Sequence, residues 1–293
     1  MVMHGWIPPL CRSGMLLLTA LLVAACDTPQ QRALKDLAAA GVEPSGRSLV
    51  HAVLHHNRAR AALLLEAGIY TEQRDPQGRT PLAIAVEGRD LAASFMLLNA
   101  HAKVNATTDR HTSILGIAVE RDDPVLVQAL LDAGASTEAL MPDGEKILPW
   151  AIRHGRLDFV KKMMQAGSDP HLKDRNGNPL LHVAMESGRR DLMESLLQLG
   201  ADPAGTNAAG ETTIHLALRQ GWIDSIPMLA SAGADPNAVA PDGRSLLDRA
   251  VDQANPQQIA LFLTIGADPN QQPDPEAGSS PLQKVFDLSL IHI

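Results

Sequence analysis

Histidine is where chemistry would first be sought in this chain. His51 and His55 lie four residues apart, with His56 adjacent, a spacing that sets two imidazoles on one face of a helix and suits two zinc ligands. A zinc site needs a third protein ligand, and no glutamate after His51 and no cysteine supplies it, so no metal or other cofactor is expected. His51 falls in the register of Ile84 and Ile117 and is expected to fill the same apolar slot. His182 and His215 stand 33 residues apart inside apolar runs, which fits buried rings with hydrogen-bond partners better than a catalytic pair. There is no Gly-rich phosphate loop, no Gly-x-Ser-x-Gly turn and no cysteine nucleophile with a base. Paired carboxylates such as Asp122 and Asp123 fall at a helix start, where acidic residues offset the helix dipole. No catalytic residue is expected, and the chain is read as a non-enzyme.

Composition narrows the classes further. The apolar content is 45% and the charged content 20%, while aromatics make up only 3%, so Leu, Ala, Val, Ile and Met must build a core of closely packed small helices. A net charge of -8 leaves no basic stripe to neutralise phosphates and excludes nucleic acid as the expected partner.

What must position the polar residues is a repeat of 33 residues. Leu49, Leu82, Leu115, Leu148, Leu181, Ile214 and Leu247 fall one period apart, each followed three residues later by alanine, from Ala52 to Ala250. Nineteen residues after each stands a glycine, with His101 as the exception. Units such as "DRNGNPLLHVAMESGRRDLMESLLQLGADP" read as a turn, a short helix, a break, a second helix and a glycine suited to a left-handed helix end. The Asp residues in the "DPH", "DPA" and "DPN" segments that follow read as turns in which the side chain bonds its own backbone.

This unit closely resembles the ankyrin repeat, whose Thr-Pro-Leu-His signature is represented by "TPLA", "SILG", "KILP", "PLLH", "TIHL" and "SLLD". Thr80, Ser113, Thr212 and Ser245 match the hydroxyl position that caps the first helix, and Lys146 and Pro179 depart from it. The resemblance implies an all-α repeat solenoid of seven ankyrin repeats over residues 45–270, preceded by a capping helix at 31–44 and followed by the start of an eighth repeat at 271–287. It implies that His182 and His215 bond the backbone of a neighbouring hairpin. It also implies protein or peptide binding through hairpin tips and first-helix ends. Carried over by register, the tips are Gln77 and Arg79, Arg110 and Thr112, Asp143 and Glu145, Arg175 and Asn178, Glu211, and Asp242 and Arg244. The helix ends are Glu87, Glu120 and Arg121, Arg153 and His154, Glu186, Arg219 and Gln220, and Asp252. Their mixed charges call for a polar protein partner of a monomeric scaffold.

Two further readings concern the ends. The apolar run from Met15 to Ala25 closes on "VAAC" and resembles the lipobox of bacterial lipoproteins. That implies a signal peptide at 1–25, acylation of Cys26, a tether at 26–30 and a lipid-anchored, periplasm-facing protein of the cell envelope that meets the membrane through its lipid. The closing "LSLIHI", residues 288–293, matches one reading frame of a sequencing adapter, so a truncated eighth repeat is expected, with Leu261, Phe262 and Leu263 uncovered. Such a fragment leaves a second expectation open: the repeats as the recruiting arm of an envelope enzyme, such as a peptidoglycan transpeptidase or protease.

Overall fold

The structure, a computed structural model, describes residues 28–109, 111–271 and 279–291. The leader with Cys26, Arg110, the loop 272–278 and the last two residues of "LSLIHI" lie outside the described residues. The described chain is helical without strands and divides into two compact units, Met1–Arg110 and His111–Ile293. The first unit holds α1 (Pro29–Ala39), α2 (Gly46–Leu54), α3 (Arg58–Glu66), α4 (Pro81–Glu87) and α5 (Leu91–Asn99). The second begins with α6 (Ile114–Glu120), α7 (Pro124–Asp132), α8 (Ile147–Arg153), α9 (Leu157–Gln165), α10 (Leu180–Glu186) and α11 (Arg190–Gln198). It continues through α12 (Thr213–Arg219), α13 (Ile226–Ser231), α14 (Leu246–Asp252), α15 (Pro256–Thr264) and α16 (Pro281–Ile291).

Each repeat pairs two short helices, in most of them seven residues followed by nine, and like stacks on like: α2 on α4 in the first unit, α8 on α10 on α12 in the second. The pattern follows from residue size. Leucines at the second position of the first helices, such as Leu82, Leu115 and Leu148, are buried, and so are the alanines three residues later. The alanines let neighbouring helices approach; each buried leucine contributes about 1.5–3 kcal/mol of apolar transfer.

Caps set the helix starts. The Thr80, Ser113 and Ser245 hydroxyls accept hydrogen bonds from the amides of Ala83, Gly116 and Asp248 at 3.3, 2.9 and 3.2 Å. Thr212 departs from the expected cap because its hydroxyl pairs with His215 Nδ1 at 2.8 Å. Helices α8 and α10 start after Lys146 and Pro179 with no side-chain cap. The turns ahead of the hairpins behave as read from the sequence. Asp169, Asp202, Asp235 and Asp268 each accept from the amide two residues on, at 2.8–2.9 Å.

The second helix of the sixth repeat is split, and two expectations, on His51 and on the Leu261–Leu263 run, are corrected. Pro227 has no N–H to bond the Ile223 carbonyl, so Ile223–Ser225 winds as a 3₁₀ turn and α13 starts at Ile226. His51 does not fill the slot of Ile84 and Ile117. It is exposed while they are buried, because α1 packs against α3 and leaves this flank of α2 open. At the other end Phe262 is fully buried, and only Leu263 of the Leu261–Leu263 run is 44% exposed. Helix α16 packs against α14, and Lys284 Nζ reaches the buried Asp248 carboxylate at 3.0 Å.

Candidate functional site

The tip residue two positions before a first helix's cap-adjacent start and the last residue of that helix are eight apart in sequence, and the fold folds one onto the other. In the first unit Arg79 donates through Nη1 to Glu87 at 2.7 Å and through Nη2 to Asp75 at 2.7 Å. Burial opposes the Arg79 charge, but hydrogen bonds to Asp75 and Glu87 outweigh it and hold its pKa above the usual value. In the second unit the same contact is made by Glu145 and Arg153 at 2.6 Å, Glu211 and Arg219 at 2.9 Å, and Arg244 and Asp252 at 2.9 Å. The polarity of the pair reverses between repeats while its place does not.

The richest part of this row lies on α8 and the hairpins flanking it. Arg153 donates to Glu145 and, through its other terminal nitrogen, to Asp174 of the next hairpin at 3.1 Å. Arg175 reaches back to Asp143 at 2.9 Å and to Glu145 at 3.1 Å. The Glu145 amide and the Arg175 guanidinium hold the Asp143 carboxyl below the usual carboxylate range. Glu145 and Asn178 are not exposed tips: both are buried. The Asn178 side-chain oxygen accepts from the Ala208 amide at 2.9 Å, so these two residues support the row from beneath.

Gln77, Glu120, Arg121, His154, Arg175, Arg219, Asp242 and Arg244 are exposed. His154 stacks on Trp150 with ring centroids 4.0 Å apart, and Asp242 pairs with Arg249 at 2.8 Å. Glu186 is exposed and meets only the Asn207 amide group, at 3.5 Å. It borders a polar groove of about 390 Å³ lined by Arg153, Asp174, Asn176, Val183, Glu186 and Ser187. Thr112 is buried.

Asp75, Asp174 and Asn207 belong to this arrangement but escape a reading of tips and helix ends. Each is buried, and its side-chain oxygen accepts from the amides two and four residues on. That locks the hairpin and presents the other side-chain atom to the row. The signal was available, since 75, 174 and 207 share one register of the 33-residue period.

The histidines of the apolar runs are structural. His182 Nε2 donates to the Glu211 carbonyl at 2.9 Å, a backbone group of the neighbouring hairpin, whereas His215 uses its own cap residue Thr212. Burial pushes both imidazoles below their ordinary pKa. His51 and His55 lie with ring centroids 4.2 Å apart and their planes tilted by 46°. Among the described residues no group of three or more His, Cys, Asp or Glu side chains could hold a metal ion. Nor is any described helix long and apolar enough to cross a membrane.

Comparison with known proteins agrees with this geometry. The family described as "Ankyrin repeats (3 copies)" matches at residues 92–174, 115–207 and 181–273, together more than half of the 293-residue chain. No curated protein matches the chain. Among solved structures, the ankyrin repeat domain of Bcl-3, described as a unique member of the IkappaB protein family, aligns with a TM-score of 0.58 at 24% identity. That alignment covers 73% of this chain and 99% of the Bcl-3 domain. An ankyrin repeat domain from Acinetobacter baumannii AYE aligns with a TM-score of 0.56 at 23% identity, covering 64% of this chain and 98% of its own. The chain belongs to the ankyrin repeat family. Its repeats form the kind of scaffold that serves protein interaction.

Proposed function

We propose that this protein is a lipid-anchored scaffold of the bacterial cell envelope, held by acylated Cys26 and facing the periplasm, that binds a protein or peptide along its row of hairpin tips and first-helix ends. The observation that carries the reading is the row itself. Residues at one fixed register change type and charge sign from repeat to repeat, while the leucine and alanine positions beneath them stay the same. Constant packing under a variable polar surface suits recognition, because a rigid platform saves ordering entropy on binding. The exposed, mixed charges favour a polar partner.

Two measurements test it. Mass spectrometry of the amino-terminal peptide should show acyl chains on Cys26, absent in Cys26→Ser; an unmodified Cys26 in envelope-expressed protein would refute the anchor. Affinity capture from envelope extract should enrich a protein that is lost with Glu186→Arg and retained with Lys161→Glu, an exposed change on α9. Enrichment indifferent to Glu186 would remove the row from recognition.

A further inference from the structure

The amino-terminal end of the first unit has a surface chemistry opposite to the rest of the chain. Residues 28–60 contain Arg32, Lys35, Arg47, Arg58 and Arg60 against Asp36 and Glu43, whereas residues 61–293 carry 19 cationic side chains against 30 acidic ones. The local excess is of the sign that anionic surfaces attract. The fold adds a place for it. Because α1 covers α3, the open flank of α2 forms a groove of about 400 Å³ whose charged and titratable lining is Glu43, Arg47, His51 and Arg60.

Among the described residues, neither Arg47 nor Arg60 is paired with a carboxylate, unlike Arg58, which Asp90 takes up at 3.0 Å. Arg47 is exposed to solvent and Arg60 half-buried. In the same unit Tyr70 is 65% exposed, and its carbonyl lies 3.4 Å from where a side chain on Gly46 would begin, so its backbone adjoins the start of α2. Leu34 and Leu54 are also exposed on this unit. Unpaired guanidinium groups, a tyrosine with an apolar body and polar tip, and scattered leucines make up the chemistry that settles at a lipid headgroup layer.

We propose that this end of the first unit docks on a membrane surface carrying anionic phospholipid headgroups, with Arg47 and Arg60 meeting phosphate oxygens and Tyr70 lying among the headgroups. The contact goes beyond the proposed acyl anchor and does not require it, although Cys26 stands only two residues before Thr28, where the described chain begins. A tethered protein with this face would lie against the bilayer in one orientation, instead of swinging on its tether.

The test uses the full chain carrying Cys26→Ser, so that no acyl group contributes. Cosedimentation is compared on phosphatidylcholine vesicles with and without about one-third phosphatidylglycerol, at about 20 mM and about 300 mM salt, where screening lengths differ several-fold. The expected result is preference for the anionic vesicles, lost at the higher salt. Arg47→Glu with Arg60→Glu should reduce binding at least about tenfold, since each surface cation contributes about 1 kcal/mol. Lys161→Glu should leave it unchanged. Arg47→Gln with Arg60→Gln keeps the side chains long and neutral and should lose less in the same direction, which guards against a folding defect in the reversed variant. Equal binding to both vesicles, or an anionic preference that survives both double variants, would overturn the proposal. Either outcome leaves acylation of Cys26 to be decided by its own mass measurement.

Discussion

Arg153 at the end of α8 and Glu145 in the hairpin before it stand 2.6 Å apart, with the glutamate side chain 1% exposed and the arginine 36% exposed. The carboxylate is out of water and is met by two guanidinium groups, Arg153 and Arg175. Arg153 in turn ties its own hairpin to Asp174 of the next. One side chain therefore shapes the row of tips and helix ends and links two repeats.

Arg153→Ala is expected to lower stability by about 2 kcal/mol. Breaking a fully buried pair costs about 3–5 kcal/mol, and the partial exposure of Arg153 lets water recover part of that. Urea unfolding measures the loss. Glu145→Gln should cost less in the Arg153→Ala background than in the wild-type chain, since Arg175 is then the carboxylate's remaining partner, and equal costs in the two backgrounds would contradict the pairing.

His182 and His215 predict a pH dependence with a definite sign. Both have folded-state pKa values below the ordinary 6.5 because burial disfavours the imidazolium. Below pH 6.5 the unfolded chain therefore binds more protons than the folded one, so their contribution is fully present above pH 6.5 and is lost as the pH falls towards the depressed folded values. The urea midpoint should drop between pH 7 and pH 5.5. The slope should be shallower in a His182→Gln, His215→Gln variant; an unchanged slope would mean that these rings titrate alike in both states.

Much of the fold was legible because the period is set by packing. The Leu, Ala and Gly registers of the sequence reappear as buried positions and helix ends, and the Asp turns at 169, 202, 235 and 268 close as read. What escaped depends on a neighbour's coverage. Glu145 and Asn178 share a register with the half-buried Arg79, and nothing in their own segment announces that adjoining hairpins cover them. His51 sits in an apolar register but is exposed, since α1 covers a different helix. Thr212 could cap α12, yet His215 claims its hydroxyl.

Departures from glycine give a third prediction. His101 at the end of a second helix and Ala254 between two helices hold φ of 58° and 50°, where an L side chain crowds its own backbone. His101→Gly and Ala254→Gly should each stabilise by about 0.5–1 kcal/mol, the relief of strain exceeding the entropy that glycine adds to the unfolded chain. Thermal melts of the two variants check this, and a lower midpoint for both would argue against strain at these turns.

Lys284 is the polar link from α16 to α14. Its ammonium lies 3.0 Å from Asp248 and 3.6 Å from Asp252, and Asp248 also accepts from the Ser245 amide and hydroxyl. Lys284→Ala should raise hydrogen exchange at residues 281–286 by about tenfold or more. Protection around Leu148 and Leu181 should stay as it was, because stacked repeats feel chiefly their neighbours. Uniform loss across the second unit would contradict that locality.

Recognition by the row is open to photo-crosslinking in envelope extract, with a photoreactive residue placed in turn at Glu120, Glu186 and Lys161, three exposed positions of the second unit. The expected result is a specific adduct of one partner protein from Glu120 and Glu186 on the row and none from Lys161 on α9. Adducts from Lys161 alone, or the same adducts from all three positions, would show that the row of tips and helix ends is not where this scaffold binds.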